Sequence, residues 1–197
     1  MPLTPSLPRM VTQRFILAVF FGAIASFLWG FVSWMILDWH APKTFKDEAA
    51  VAAVLKANAP EHGFYMLPTM DNPDAGGDAQ EPYAKLTDGP YFNGVVRPGK
   101  LAGWSLGWHM GQSFLRSLLA CLVLAFLASR CHLSGVPARM AFGALAGFFV
   151  TCAAPLQSAV WFELPTRDLL IALVDNVAEW TLVGGVFAFI LPTPRKN

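Results

Sequence analysis

The chain has 197 residues, of which 55% are hydrophobic and only 14% charged, with a formal net charge of +1. Soluble domains carry about 25% charged residues, so the composition excludes an ordinary water-facing globule, and the near-neutral balance excludes an electrostatic nucleic-acid binder. Cys121, Cys131 and Cys152 fall in or beside apolar segments without CxxC spacing, which argues against a disulfide framework or a zinc site.

A proline-containing leader with Arg9 and Arg14 precedes an almost wholly apolar run, Phe15 to Leu37. About 20 such residues cross a bilayer core at ~1.5 Å rise each. Ala23-Ile24-Ala25 resembles a signal-peptidase site, but the apolar run continues through Trp29 to Leu37, so an uncleaved anchor is expected. Residues 40–103 form a polar insertion. Thr44 to Asp47 has capping-box spacing ahead of a short amphipathic helix over Glu48–Asn58. His62–Pro68 and Tyr91–Val96 read as strands, with the acidic, Gly/Pro-rich stretch 70–82 between them. An insertion this short, without cysteines, is marginal as an independent fold and is expected to pack onto the helix ends. Further spans follow at about Trp104–Ser129, Val136–Val160 and Asp168–Leu191, with Pro155 kinking the outer end of the third.

The expected fold is therefore an all-α integral membrane protein of four transmembrane helices, with a small α+β insertion between the first and second. Its parts are 1–39 (leader and first span), 40–103 (insertion) and 104–197 (three spans and C-terminus). The leader, the 130–139 loop and the C-terminus hold Arg9, Arg14, Arg130, Arg139, Arg195 and Lys196 and no acidic residue. The positive-inside rule then sets both termini in the cytoplasm and the insertion outside it.

Small residues recur every four positions at Gly22/Ser26/Gly30 and Gly103/Gly107/Gly111, and Gly143 and Gly147 form a GxxxG pair. Such stripes let helix backbones approach closely in lipid, so the first and second spans are expected to pack through them. Of the seven tryptophans, all but Trp180 fall toward the outer ends, as an interfacial belt.

His109, Gln112 and Arg116 share one face of the second span, and Asp168, Asp175 and Glu179 share one face of the fourth. By helical rise, Arg116 lies ~21 Å above the inner boundary, Asp175 ~10 Å below the outer one, and Glu179 near the midplane. Gln157 lies in the same outer half. A charge at such depth costs at least ~2.5–3.5 kcal/mol on insertion scales, so Arg116 is expected to meet Asp175 or Glu179. The favoured reading is a structural pair that sets helix register. A proton or ion relay, or a ligand pocket, is the competing one; snorkelling of Arg116 is a third.

Asp38, His40, Glu48 and His62 lack metal-ligand spacing, and no GxSxG, P-loop, Rossmann or CxxCH pattern occurs. No catalytic residue, metal or cofactor is expected. Trp29-Gly30-Phe31-Val32-Ser33-Trp34, Trp39-His40, Phe45-Lys46-Asp47-Glu48 and Gly63-Phe64-Tyr65-Met66-Leu67-Pro68 together resemble a loose group of small bacterial inner-membrane proteins. The resemblance extends through Trp161-Phe162 and Asp175 to Trp180; it implies a bacterial origin and the four-span layout, and no activity. The expected function is that of a non-enzymatic inner-membrane component that associates with itself or with other membrane subunits. Alternatives are a small transporter or proton-conducting component using Asp175 and Glu179, and an accessory subunit of a respiratory or photosynthetic complex.

Overall fold

The computed structural model describes residues 13–69 and 87–192. Arg9, Arg195, Lys196 and the acidic 70–82 stretch lie outside the described residues. The chain divides into two compact units, Pro42–Trp104 and a helical unit built from Met1–Ala41 with Ser105–Asn197.

In the smaller unit, α2 (Glu48–Asn58) starts at Asp47, whose side chain accepts from the Ala50 amide at 2.9 Å. Asp47 is thus the N-cap, in place of the expected Thr44 box; a carboxylate beside the first free amides is the stronger cap because it also answers the helix dipole. Strands β1 (Gly63–Leu67) and β2 (Phe92–Val96) pair antiparallel, with Tyr65 opposite Gly94 at the centre.

The helical unit starts with α1 (Gln13–Phe31), which runs on as a π-helical turn over Val32–Ile36. It continues with α3 (Leu106–Arg130), α4 (Gly135–Ala153), α5 (Pro155–Trp161) and α6 (Thr166–Ile190). Gln13–Ile36, Leu106–Arg130, Gly135–Trp161 and Thr166–Ile190 hold 24, 25, 27 and 25 residues. At ~1.5 Å per residue each exceeds the ~30 Å of a bilayer core. Their outward faces carry exposed Leu119, Val123, Phe149, Val174 and Phe189. Helices α4 and α5 break at Ala154 (φ −130°, ψ −65°), since Pro155 disfavours a helical residue before it and has no amide to donate.

The extensive helix pairings are α4 with α6, α6 with α1, and α1 with α3. Helix α6 is therefore flanked by α4 on one side and α1 on the other. The tightest seam is α4 against α6: at Gly143, Gly147 and Gly184 a Cβ would strike the carbonyls of Trp180, Asn176 and Arg139 respectively. Only glycine lets the two backbones come this close. Asn176 adds a side-chain bond to Thr151 Oγ1 (3.2 Å) across the seam. Between α1, α3 and α6, toward the end that carries the short 131–134 connection, Ala18, Ala23, Cys121, Leu124, Val183 and Phe187 form an apolar core. No cysteine of the three is bonded to another.

Arg139 lies inside α4, rather than in a basic loop, and is buried. Its Nη1 donates to the carbonyls of Phe187 (2.6 Å) and Leu191 (2.7 Å), and Nη2 to that of Pro192 (2.9 Å). The last carbonyls of a helix have no partner within it and attract cations. Arg139→Leu is expected to lower stability by about 1.5–3 kcal/mol, the range for hydrogen bonds from a charged donor. Arg139→Lys should recover only part, because an ammonium cannot reproduce the planar fork. Thermal unfolding of the purified variants in detergent checks this.

Candidate functional site

Ser26, Trp29 and Ser33 follow one another at i, i+3 and i+7 on the first span, and Asp175 and Glu179 at i, i+4 on α6. These spacings set one polar face against another. Two hydrogen-bonded groups result, one helical turn apart.

The deeper group joins α1, α3 and α6. Arg116 Nη2 lies 3.1 Å from Glu179 Oε1 and 3.4 Å from Ser117 Oγ. Ser26 donates to the same Glu179 oxygen at 2.5 Å, and the Ser26 and Ser117 hydroxyls are 2.9 Å apart. A hydroxyl has one proton. With that of Ser26 on Glu179, Ser117 donates to Ser26 and accepts from Arg116, so the four side chains close into a ring. Ser26 and Ser117 are fully buried. The ion pair is lopsided: side-chain exposure is 8% at Glu179 and 59% at Arg116.

The outer group is built by a chain reversal. After the π turn, Asp38 takes a left-handed φ of 51°, which Asp tolerates better than most residues. Trp39 and His40 thereby fold back over the helix end. His40 Nε2 comes to 3.0 Å from Ser33 Oγ and 3.4 Å from Asp175 Oδ2. Trp29 Nε1 donates to Asp175 Oδ1 at 2.7 Å, and Trp39 Nε1 to Ser33 Oγ at 2.9 Å. The Trp34 ring stacks on His40 with centroids 4.1 Å apart and planes 9° from parallel. Arg167 secures the turn from α6 through the Trp39 carbonyl (2.9 Å).

Between α1, α3 and α6, on the side of these groups, lies a cleft of about 540 Å³. Arg116, Glu179, Asp175, Asn176, Ser113 and His109 supply its polar wall. The opposing surfaces are apolar, from Phe27, Phe31, Trp34, Met35, Leu106 and Met110.

Of the residues singled out by sequence, Arg116 and Glu179 meet directly, while Asp175 is held by Trp29 and His40 one turn farther out. His109 lines the cleft. Gln112 and Gln157 are exposed and do not line it. Asp168 pairs locally with its neighbour Arg167 (3.2 Å) and stays exposed. The glycine stripes need correction. A Cβ at Gly30, Gly103 or Gly111 would meet nothing within 4 Å, and at Gly107 only Ser105 Oγ at 3.9 Å. Gly103 sits in the turn before α3 with φ 72°, where it answers a backbone need. Helices α1 and α3 touch around Gly22, Ser26, Ser117 and Cys121, then separate; Gly30 faces the open part, while Gly107 and Gly111 do not line it. The sequence does not single out Ser117, Trp29, Ser33 or Asn176 as site residues, and marks Ser26 only as a small packing residue. The Ser26/Trp29/Ser33 spacing was the available signal for most of them.

Chemically, the arrangement fixes charges and hydrogen bonds between three helices. Among the described residues, no three His, Cys, Asp or Glu side chains are grouped to hold a metal ion. Comparison with family models, curated proteins and solved structures returns no match to this chain.

Proposed function

We propose that this chain is a four-span integral membrane protein that works by association, with itself or with other membrane subunits, and conducts nothing. Its polar ring serves as a register device between α1, α3 and α6. One observation carries the reading. The polar groups run from His40 down to Ser26 and Ser117 and close on themselves, and beyond them the apolar core of Ala18, Cys121, Leu124, Val183 and Phe187 fills the remaining length. A proton or ion relay needs polar partners along its whole path, and this one ends halfway. The outward-facing Leu, Val and Phe side chains support immersion in lipid.

The basic bias of the leader, the connection after α3 and the C-terminus supports a cytoplasmic location for both termini, with 42–104 on the other side. Asp38, Glu163 and Asp168 at the opposite helix ends agree with that sense. The resemblance noted above supports a bacterial plasma membrane.

Two measurements test the proposal. A reporter fused after Lys196 is expected to be active in the cytoplasm, and one inserted near Gly77 outside it. Native mass spectrometry of gently solubilised protein is expected to give a homo-oligomer or a hetero-assembly. A lone monomer that passes protons or ions in reconstituted vesicles overturns the reading.

A further inference from the structure

We infer that the cleft between α1, α3 and α6 binds a neutral amphiphile dissolved in the bilayer, whose flat head bears hydrogen-bond-accepting carbonyls: a prenylated quinone. The inference rests on the membrane-embedded reading above and adds a ligand to it.

Shape is the first argument. Helices α1 and α3 are held together at Ser26 and Ser117 and part beyond them, so that Gly30 looks into open space. The resulting volume, about 540 Å³, falls within the ~300–1,000 Å³ usual for small-molecule sites. Walls of Phe27, Phe31 and Trp34 suit a planar conjugated ring, and Met35, Leu106 and Met110 suit an isoprenoid tail.

Hydrogen-bonding capacity is the second. A guanidinium has five N–H donors, and among the described residues Arg116 reaches Glu179 and Ser117 through Nη2 alone. Its side chain is 59% exposed and lines the cleft. Donors left bare at hydrocarbon depth are costly, so acceptors brought in by a ligand are strongly favoured there.

Charge and depth then choose among amphiphiles. Glu179 already offsets Arg116 at 3.1 Å, and Asp175 adds a second carboxylate to the same wall. An anionic head would face both carboxylates, and a cationic head would face Arg116. A neutral carbonyl meets the donors with neither penalty. Arg116 lies ten residues into α3, ~15 Å along the helix and so below the headgroup region of a ~30 Å core. Phospholipid headgroups stay at the interface, whereas a neutral carbonyl-bearing ring on a prenyl tail dissolves in the core.

The test uses the full chain in nanodiscs, titrated with decylubiquinone and followed by quenching of tryptophan fluorescence, since Trp29 and Trp34 line the cleft. Saturable quenching is expected. Gly30→Leu and Ser113→Leu fill the cleft without meeting packed backbone, and each should weaken binding at least tenfold with an unchanged melting temperature. Arg116→Lys should weaken it too. The inference falls if the wild-type chain shows no saturable quenching, or if both cleft-filling variants bind as well as it does. It also falls if oleate binds in preference to the quinone, or if Ser113→Cys crosslinks between two copies and the quinone fails to compete. Alkaline extraction of membranes separates the two levels. A chain retained in the pellet that binds no quinone removes this inference alone; a chain released to the supernatant removes both.

Discussion

Gly147→Leu is expected to be the most damaging single substitution in the helical unit, with Gly143→Leu close behind. A Cβ at position 147 would meet the Asn176 carbonyl carbon at 2.7 Å and Val177 Cα at 2.8 Å. At position 143 it would meet the Trp180 carbonyl carbon at 2.8 Å and Thr181 Cα at 3.3 Å. These are backbone atoms of α6, so relief requires the two helices to separate along their shared seam. Overpacking a core costs about 1–3 kcal/mol where side chains can adjust, and here they cannot. The expected result is a loss above that range, seen as a large fall in melting temperature or as no folded protein in detergent. Gly107→Leu and Gly111→Leu supply the contrast. Their sites open onto space, so each should change stability by about 0.5 kcal/mol or less, as surface substitutions do. Equal losses at Gly111 and Gly147 would show that the α4/α6 seam is not the close contact described.

That contrast also marks what the sequence made legible. The four long helices were readable because a long apolar run in a charge-poor chain has few alternatives. Phe15–Leu37 became Gln13–Ile36, and Asp168–Leu191 became Thr166–Ile190. The hairpin strands and α2 were readable from alternation and composition. A GxxxG stripe, by contrast, states only that a face permits close approach; which face finds a partner depends on crossing geometry. Hence Gly143 and Gly147 lie against α6, while a Cβ at Gly107 or Gly111 would meet no other helix. Helical rise alone sets Arg116 level with Asp175 and Glu179 about a turn deeper, whereas the structure pairs Arg116 with Glu179 and gives Asp175 to Trp29 and His40. The outer group was out of reach for a different reason. It depends on a π turn within Val-Ser-Trp-Met-Ile and on a left-handed Asp38. Both are backbone events with no compositional mark, and together they bring His40 back to Asp175. Trp29 and Trp39, read as belt residues, proved to be hydrogen-bond donors in that group. An interfacial tryptophan and a network tryptophan have the same signature in sequence.

The second large effect concerns the ion pair, and it should be asymmetric. Arg116→Leu leaves the Glu179 carboxylate buried with, among the described residues, only the Ser26 hydroxyl to donate to it. Breaking a buried pair by removing one partner typically costs about 3–5 kcal/mol, and Arg116→Leu is expected to fall in that range. Glu179→Leu leaves Arg116 instead, whose side chain is already 59% exposed and borders the cleft. A long, flexible cation can redirect its head along the cleft, away from the apolar core, so this loss should be distinctly smaller. Glu179→Gln should be milder still, because an amide oxygen can accept from both Ser26 and Arg116. The double variant Arg116→Leu/Glu179→Leu should regain much of what Arg116→Leu loses, since no uncompensated charge remains. Equilibrium unfolding of the wild type, Arg116→Leu, Glu179→Leu and the double variant in one detergent, treated as a double-mutant cycle, measures the coupling directly. If Glu179→Leu proves the costlier single change, the burial that distinguishes the partners does not govern their energetics. Additive losses would mean that α1, α3 and α6 keep their register without the charge pair, and the ring would then need a role other than holding the helices in place.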